Sequence, residues 1–235
     1  MTLETAMRLS EVIMSLAFLQ QSAEHMMGVR LERMLYGLRI LLCLVLLTGA
    51  ANAWALLALL CLGWITLHQF QGPYNGGSDR MSLLILTCLC AARWAPHPIL
   101  QETIYAYLGF QLVMSYVMSG WVKLKNPEWR SGEALCDVFR FSAYPVSEAL
   151  RDWARAPRIL TILSWGVILF EVLFPLALFT HLTLYGALVL AAAFHLSNAC
   201  LFGLNRFFWI WLSAYPAILW LQDRVMYGVE ITYAV

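Results

Sequence analysis

The sequence predicts an all-α membrane protein: a helix bundle with six to seven spans and an N-terminal amphipathic helix in the membrane interface. Two observations predict this class. Of the 235 residues, 61% are hydrophobic and only 12% are charged, whereas a soluble domain averages about half apolar and a quarter charged residues. The apolar residues also form long runs rather than short alternating segments.

The N-terminal segment, residues 1–29, is expected to be an amphipathic helix that lies along the membrane surface. Its polar side is formed by Glu4, Arg8, Glu11 and Glu24, among other residues. A helix with acidic and basic residues so closely interleaved is too polar to cross the hydrocarbon, but it suits the interface. The apolar stripe of this helix consists of Leu9, Val12, Ile13, Leu16 and Leu19.

The rest of the chain, residues 30–235, is predicted to form a single transmembrane domain. A helix needs about 20 residues to cross the hydrocarbon, so the first three apolar runs are short and would tilt or break. A long polar loop, residues 123–158, separates the fourth run from the fifth. The runs cover residues 34–51, 53–68, 81–95, 100–122, 159–180, 182–203 and 207–221.

The basic residues of the loops predict which way the chain faces. Loops rich in lysine and arginine stay on the cytoplasmic side. If all the runs cross, most of these residues, including those of 123–158, fall on the side of the N-terminus. The N-terminus is therefore expected in the cytoplasm, in a bacterial inner membrane. The formal net charge of +1 leaves no basic surface, so the expected partner is the lipid bilayer and not nucleic acid.

Lys123 is the first candidate for chemistry, because it follows a long apolar run. The run covers residues 104–122, and a polar segment with a tryptophan comes directly after the lysine. A lysine near the end of a span can extend its amine to the headgroups as an anchor. It can also be held in an apolar pocket, where burial favours the neutral amine that acts as a base. Position alone leaves both interpretations open.

His195 and Glu171 are the next candidates, because polar residues inside a membrane are costly and often functional. His195, Asn198 and Phe202 fall on one helical face, which predicts a stripe that lines a cavity or forms a hydrogen-bond seam between helices. Glu171 precedes Pro175 by four residues, and the proline has no N–H to donate to the carbonyl of residue 171. A carboxylate beside an opened turn suits a proton relay, an ion site or a hydrogen bond between helices.

The turn-rich segment 69–80 contributes one more candidate, Asn75. Its glycines, proline and asparagine predict a turn. No Gly-Lys-Ser/Thr follows, so the pattern supports a phosphate cradle only weakly. The segment is equally suited to cap a pocket between the second and third runs. No metal site is expected, because no cluster of ligand residues has a recognisable spacing.

Three segments together resemble the horizontally transferred transmembrane (HTTM) family, which includes the membrane part of vitamin K-dependent γ-glutamyl carboxylase. The resemblance covers about residues 30–222, and the second segment is its most specific part. The segments are Asn-Gly-Gly-Ser-Asp at 75–79, Ser-Gly-Trp-Val-Lys-Leu at 119–124 followed by Trp129 and Gly132, and Phe-His-Leu-Ser-Asn at 194–198.

The resemblance implies a role for each candidate residue. In the carboxylase, the lysine that matches Lys123 is the base that starts oxygenation of vitamin K hydroquinone; a glutamate then loses its γ-proton and takes up carbon dioxide. Lys123 is thus the implied catalytic base, with Glu171 and His195 as further catalytic residues and a quinol or quinone as cofactor. The residues expected to contact this cofactor are His195, Asn198, Phe202, Trp121 and Asn75.

Two functions from different classes remain open. In the first, the chain is a carboxylase-like or oxygenase-like membrane enzyme that acts on a quinol or a similar lipid-soluble substrate. In the second, it is a non-catalytic subunit that binds lipid, quinone or pigment within a larger membrane complex. The occurrence of Lys123, Glu171 and His195 in one chain favours the enzyme. The small size, which leaves no room for an extramembrane domain that presents glutamates, favours the subunit.

Overall fold

The computed structural model describes residues 1–69, 76–142 and 147–228, and every regular element in these ranges is helical. The all-α prediction is confirmed. The α-helices are α1 (Leu3–His25), α2 (Arg30–Thr48), α3 (Asn52–Gln69), α4 (Gly76–Trp94), α5 (Pro98–Lys125), α6 (Pro127–Ser131), α7 (Glu133–Phe141), α8 (Pro157–Leu173), α9 (His181–Phe202) and α10 (Asn205–Tyr227), with 3₁₀ helices at Glu148–Arg155 and Phe174–Phe179.

Three of the described helical segments are long and apolar enough to cross a membrane. They are α3, α9 and the continuous segment Pro157–Phe179, which joins α8 to the 3₁₀ helix that follows it. The chain is accordingly an integral membrane protein. The other predicted runs also form helices, namely α2, α4, α5 and α10. Whether they cross as well, for a total of six to seven spans, stays a prediction.

The first of two compact units consists of Met1–Phe110 and Trp209–Val235. In this unit α1 bonds through polar side chains to several other helices. It contacts α2 through Gln21 and Arg39 at 3.0 Å, α4 through Glu11 and Arg93 at 2.7 Å, and α5 through Ser10 and Tyr105 at 2.9 Å.

The face of α1 that contacts its neighbours is mixed: it buries Met14 and Phe18 together with Ser10 and Glu11, while leucines of the apolar stripe face outward. Glu11 is fully buried, whereas Leu9 and Leu16 are 42% and 45% exposed. A helix with apolar side chains outward and polar side chains against its neighbours fits surroundings of lipid better than surroundings of water. The interfacial position of residues 1–29 stays a prediction.

The second compact unit, Gln111–Phe208, contains the end of α5 and helices α6 to α9. An apolar cluster joins α7, α8 and α9 in this unit, where Phe139, Leu160 and Phe202 are all buried. The ring of Phe139 also stacks on Trp153 of the 3₁₀ helix, with centroids 5.8 Å apart. The cluster therefore holds the segment between α5 and α8 against the longer helices.

The segment 123–158, predicted to be a polar loop, contains short helices instead. Asn126 explains where α5 gives way to α6: its side-chain oxygen accepts from the backbone N–H of Glu128 at 2.8 Å. Pro127 occupies the first turn of α6, where its missing N–H costs nothing. These two residues provide a helix start that apolar periodicity alone does not reveal.

Candidate functional site

Lys123 and Glu171, which the sequence indicated separately, form a buried ion pair between α5 and α8. The Nζ atom of Lys123 donates to Oε2 and Oε1 of Glu171 at 2.6 and 2.9 Å. The lysine side chain is 15% exposed and the glutamate side chain 4%. Either charge alone would be costly at this depth, but each neutralises the other. The amine of Lys123 is therefore directed at Glu171 and does not extend outward as an anchor.

Ser119 connects the two charged groups. Nζ of Lys123 donates to its Oγ at 2.5 Å, and that Oγ donates to Oε1 of Glu171 at 3.2 Å. The spacing of four residues places Ser119 and Lys123 on one face of α5. The serine and lysine of the Ser-Gly-x-x-Lys pattern thus act together, because both donate toward the same carboxylate.

Gly120 allows α5 to approach α8 closely enough for this pair to form. A Cβ atom at this position would lie 2.8 Å from the Cβ of Glu171 and 2.8 Å from the backbone nitrogen of Val172. Such distances are inside van der Waals contact, so a side chain here would force the helices apart. The glycine of the pattern is therefore explained by packing.

The helix break predicted from Pro175 is confirmed. α8 ends at Leu173, and the chain continues as the 3₁₀ helix Phe174–Phe179. Because the proline has no N–H, the carbonyl of Glu171 receives no α-helical bond from that position, and the backbone tightens into 3₁₀ geometry. Glu171 consequently lies in the last turn of α8, directly before the change of helix type.

The two tryptophans near Lys123 contact different lysines. The ring centroid of Trp129, on α6, is 5.3 Å from Nζ of Lys123, within the range of a cation–π contact. Trp121 is 46% exposed, and its ring centroid is 4.7 Å from Nζ of Lys125. Trp129 therefore belongs with the ion pair, whereas Trp121, a predicted cofactor contact, lies on a more exposed face of α5.

His195 is hydrogen-bonded to Tyr116, a residue that sequence reasoning missed. Oη of Tyr116 and Nε2 of His195 are 3.0 Å apart, and the two residues are 3% and 4% exposed. The tyrosine ring stacks on Phe174, with centroids 4.2 Å apart. Tyr116 precedes Lys123 by seven residues, so both lie on one face of α5, about 10 Å apart along its axis. That spacing was the signal that would have identified it.

The remaining predicted cofactor contacts are more scattered. Phe202 packs against Phe139, with ring centroids 5.1 Å apart, in the apolar cluster of the second unit. Asn198 is partly buried in the last turn of α9, where its carbonyl accepts from the N–H of Leu204 at 3.3 Å. Asn75 lies outside the described residues, so its role stays a prediction.

The arrangement of these groups suits proton transfer. An ammonium, a hydroxyl and a carboxylate lie within hydrogen-bond distance of one another on α5 and α8. A phenol and an imidazole form a second hydrogen-bonded pair on α5 and α9. Within the described ranges, no group of three or more His, Cys, Asp or Glu side chains is placed to hold a metal ion. Each of the two polar groups has a member that can accept or release a proton.

Comparison with known families gives one match. The family model described as the HTTM domain matches residues 96–222, which is more than half of the chain. No curated protein and no solved structure matches the chain. The matched range contains the ion pair, the tyrosine–histidine pair and both tryptophans.

Proposed function

We propose that this chain, which belongs to the HTTM domain family, binds a quinol and uses Lys123 as the base that deprotonates it. Membership of the family makes the chain a membrane protein related to the membrane part of vitamin K-dependent γ-glutamyl carboxylase. The finer proposal is carried by one observation, the buried contact of Lys123 with Glu171 and Ser119 in the second unit.

The contact supports a role for Lys123 as a base because it places a proton acceptor, the carboxylate of Glu171, beside the ammonium. A protonated lysine cannot act as a base, so it must first transfer a proton to a nearby acceptor. The carboxylate of Glu171 lies 2.6 Å from Nζ, and transfer converts the ion pair into two neutral groups. The neutral amine then takes a proton from a quinol hydroxyl, which leaves a quinolate beside a new ammonium. Only protons move in these steps, and the total charge is conserved.

His195 and Tyr116 are proposed to orient the quinol. Their hydrogen bond is buried, and the stack of Tyr116 on Phe174 fixes the position of the phenol, so the pair would present its polar atoms to a ligand in a defined geometry. Asn198 would add an amide from the same side of α9, and Phe202 an apolar contact. In this proposal Glu171 is the proton acceptor for Lys123, and His195 holds a quinol oxygen.

The same proposal includes the number of spans and the orientation of the chain. The chain crosses the membrane six to seven times, and its N-terminus lies in the cytoplasm of a bacterial cell. The pattern of buried and exposed residues on α2 supports a position of this helix in lipid. Its charged Arg39 is only 7% exposed and donates to Gln21 at 3.0 Å, while Met34 and Leu41 are 64% and 62% exposed. A helix that buries the charged residue in its middle and exposes apolar side chains around it suits lipid. The bilayer is thus the proposed partner, with α1 in the interface.

The test compares two variants of Lys123 with matched variants of Lys125. Lys123→Arg keeps a cation but cannot supply a neutral amine near neutral pH, and Lys123→Ala removes the group. Both are expected to lower quinol-dependent oxygen consumption by about 10²- to 10⁴-fold at normal folded yield. Lys125→Arg and Lys125→Ala, two residues further along α5, should leave the rate unchanged.

The same assay separates the enzyme from the alternative. If the Lys123→Arg variant keeps its activity, Lys123 is a structural cation and the base mechanism is wrong. If the wild-type protein shows no quinol turnover but co-purifies with a quinone, a pigment or a stable partner protein, the chain is a non-catalytic subunit of a larger membrane complex.

A further inference from the structure

The short helix α6 is held against α8 by three side-chain hydrogen bonds. The last carbonyls of any helix lack partners within the helix itself, so they need donors from elsewhere. Here α8 supplies these donors from its first turns. The bonds run from Thr161 to Ser131 at 2.8 Å, from Ser164 to Trp129 at 2.5 Å and from Trp165 to Arg130 at 3.0 Å.

Gly132 makes this close approach possible. Its φ of +83° is in the left-handed region that ends α6, and glycine adopts this conformation without strain. A Cβ atom here would also lie 2.6 Å from Oγ1 of Thr161 and 2.7 Å from its Cα. Both constraints require glycine, so the end of α6 is fixed against α8 by its backbone as well as by hydrogen bonds.

The start of α6 is fixed too, by the Asn126 cap described above. With both ends held, the middle residue Trp129 has a defined position, and its ring is 5.3 Å from Nζ of Lys123. The ammonium therefore contacts the carboxylate of Glu171 and, at the same time, the face of an indole. Both groups attract a cation, and neither attracts a neutral amine in the same way.

We propose that Trp129 is a positioning residue that retains Lys123 while it is charged and releases it when it becomes neutral. Release of the amine has a use only if Lys123 is the base described above, so this proposal rests on the proposed function. Transfer of the proton to Glu171 removes the cation–π attraction, and the amine then turns toward the substrate. The three donors of α8 keep the indole in place during this change, so only the lysine moves.

The experiment measures how fast an amine-reactive acylating reagent modifies Lys123 in the full-length protein in detergent micelles, with mass spectrometry to quantify each lysine. Trp129→Leu is expected to raise the rate about fivefold, because the amine is held less tightly. Trp129→Phe, which keeps an aromatic face, should restore a rate near that of the wild type. The matched control is Trp121→Leu, which should raise the labelling of Lys125 and leave that of Lys123 unchanged.

If Trp129→Leu leaves the labelling of Lys123 at the wild-type rate, or if the phenylalanine variant does not restore it, the proposal is wrong. Should Trp129→Leu fail to fold, Ser164→Ala provides the test, because it frees the carbonyl of Trp129 and should raise the labelling by a smaller factor. The assay contains no quinol, so absence of turnover in the wild type would remove the proposed function without affecting this result.

Discussion

Among the described residues, each compact unit buries one carboxylate, but the two carboxylates have different partners. Glu11, in the first unit, accepts from Arg8 at 3.1 Å, Arg93 at 2.7 Å and Asn52 at 3.0 Å, and its side chain is fully buried. Glu171, in the second unit, has one lysine and one serine. In the part of the chain that the structure describes, the first network contains two guanidinium groups and the second contains none.

In the proposed function, the first network is structural and the second, the reactive pair, transfers a proton. A guanidinium stays protonated at any pH that a protein meets, so the charges around Glu11 are permanent. Arg8 also donates to the carbonyls of Leu46 and Leu47 at 2.6 and 2.5 Å, which ties α1 to the end of α2. Lysine, in contrast, loses its proton readily when it is buried. The choice of cation is thus consistent with the proposed role of Lys123, since only a lysine can supply a neutral amine.

The largest predicted effect comes from Glu11→Gln. The change leaves two arginines facing an uncharged amide in a buried site, and it should lower the free energy of unfolding by about 3–5 kcal/mol. Glu171→Gln should cost less, about 1–3 kcal/mol, because only one cation loses its carboxylate and that amine keeps its bond to Ser119. Chemical unfolding in detergent micelles measures both values.

Glu4→Gln is the matched control for the first unit. Glu4 bonds to the same Arg93, but its side chain is 70% exposed, so the loss should stay below about 1 kcal/mol. Equal losses for the Glu11 and Glu171 variants would contradict the distinction between a carboxylate held by two arginines and one held by a single lysine.

A second prediction sharpens the comparison by moving the helices of the reactive pair. Gly120→Ala places a methyl group against Glu171 and Val172, and should lower the free energy of unfolding by about 1–3 kcal/mol. Gly166→Ala, on α8, meets nothing within 4 Å and should stabilise the helix slightly, by up to about 1 kcal/mol. Unfolding curves of the two variants give the answer, and similar effects would mean that close packing at Gly120 is unimportant.

The smallest effect is expected from an exposed pair, Glu148 and Arg151. The guanidinium of Arg151 lowers the pKa of the Glu148 carboxyl below its ordinary value through a hydrogen bond. Any stabilisation is therefore present above that ordinary value and is lost as the pH falls through the lowered pKa. Water and salt screen the pair, so Glu148→Gln should not shift the thermal midpoint measurably at neutral or acidic pH. A clear shift would show that the 3₁₀ helix depends on this bond.

The sequence identified the members of the reactive pair but not their contact. Lys123 and Glu171 were each unusual, one after an apolar run and the other within one. The register of α5 against α8 brings them together across 48 residues of sequence. The apolar periodicity of α5 and α8 does not reveal this register, because the register depends on how closely the two backbones pack. Tyr116 was missed for a related reason: a tyrosine in an apolar helix is ordinary until its partner is known.

The sequence located the apolar stripe of α1 but not the face that this helix buries. Leu9 and Leu16 of the stripe are exposed, whereas the polar Ser10 and Glu11 are buried against other helices. Next to lipid, apolar side chains can face outward while polar ones meet inside, and the structure has this arrangement. The short helices of 123–158 were missed because their starts and ends depend on single residues such as Asn126 and Gly132.

The contact between Arg93 and Glu11 has a consequence for biogenesis, because it joins residues 82 positions apart. The ribosome completes α1 well before it reaches Arg93 in α4. During that interval the carboxylate of Glu11 needs water, and the leucines of the same helix need an apolar phase. The surface of the bilayer provides both. The bond between Glu11 and Arg93 can therefore form only after α4 has been made, later in translation than the bonds of Arg8 to the end of α2.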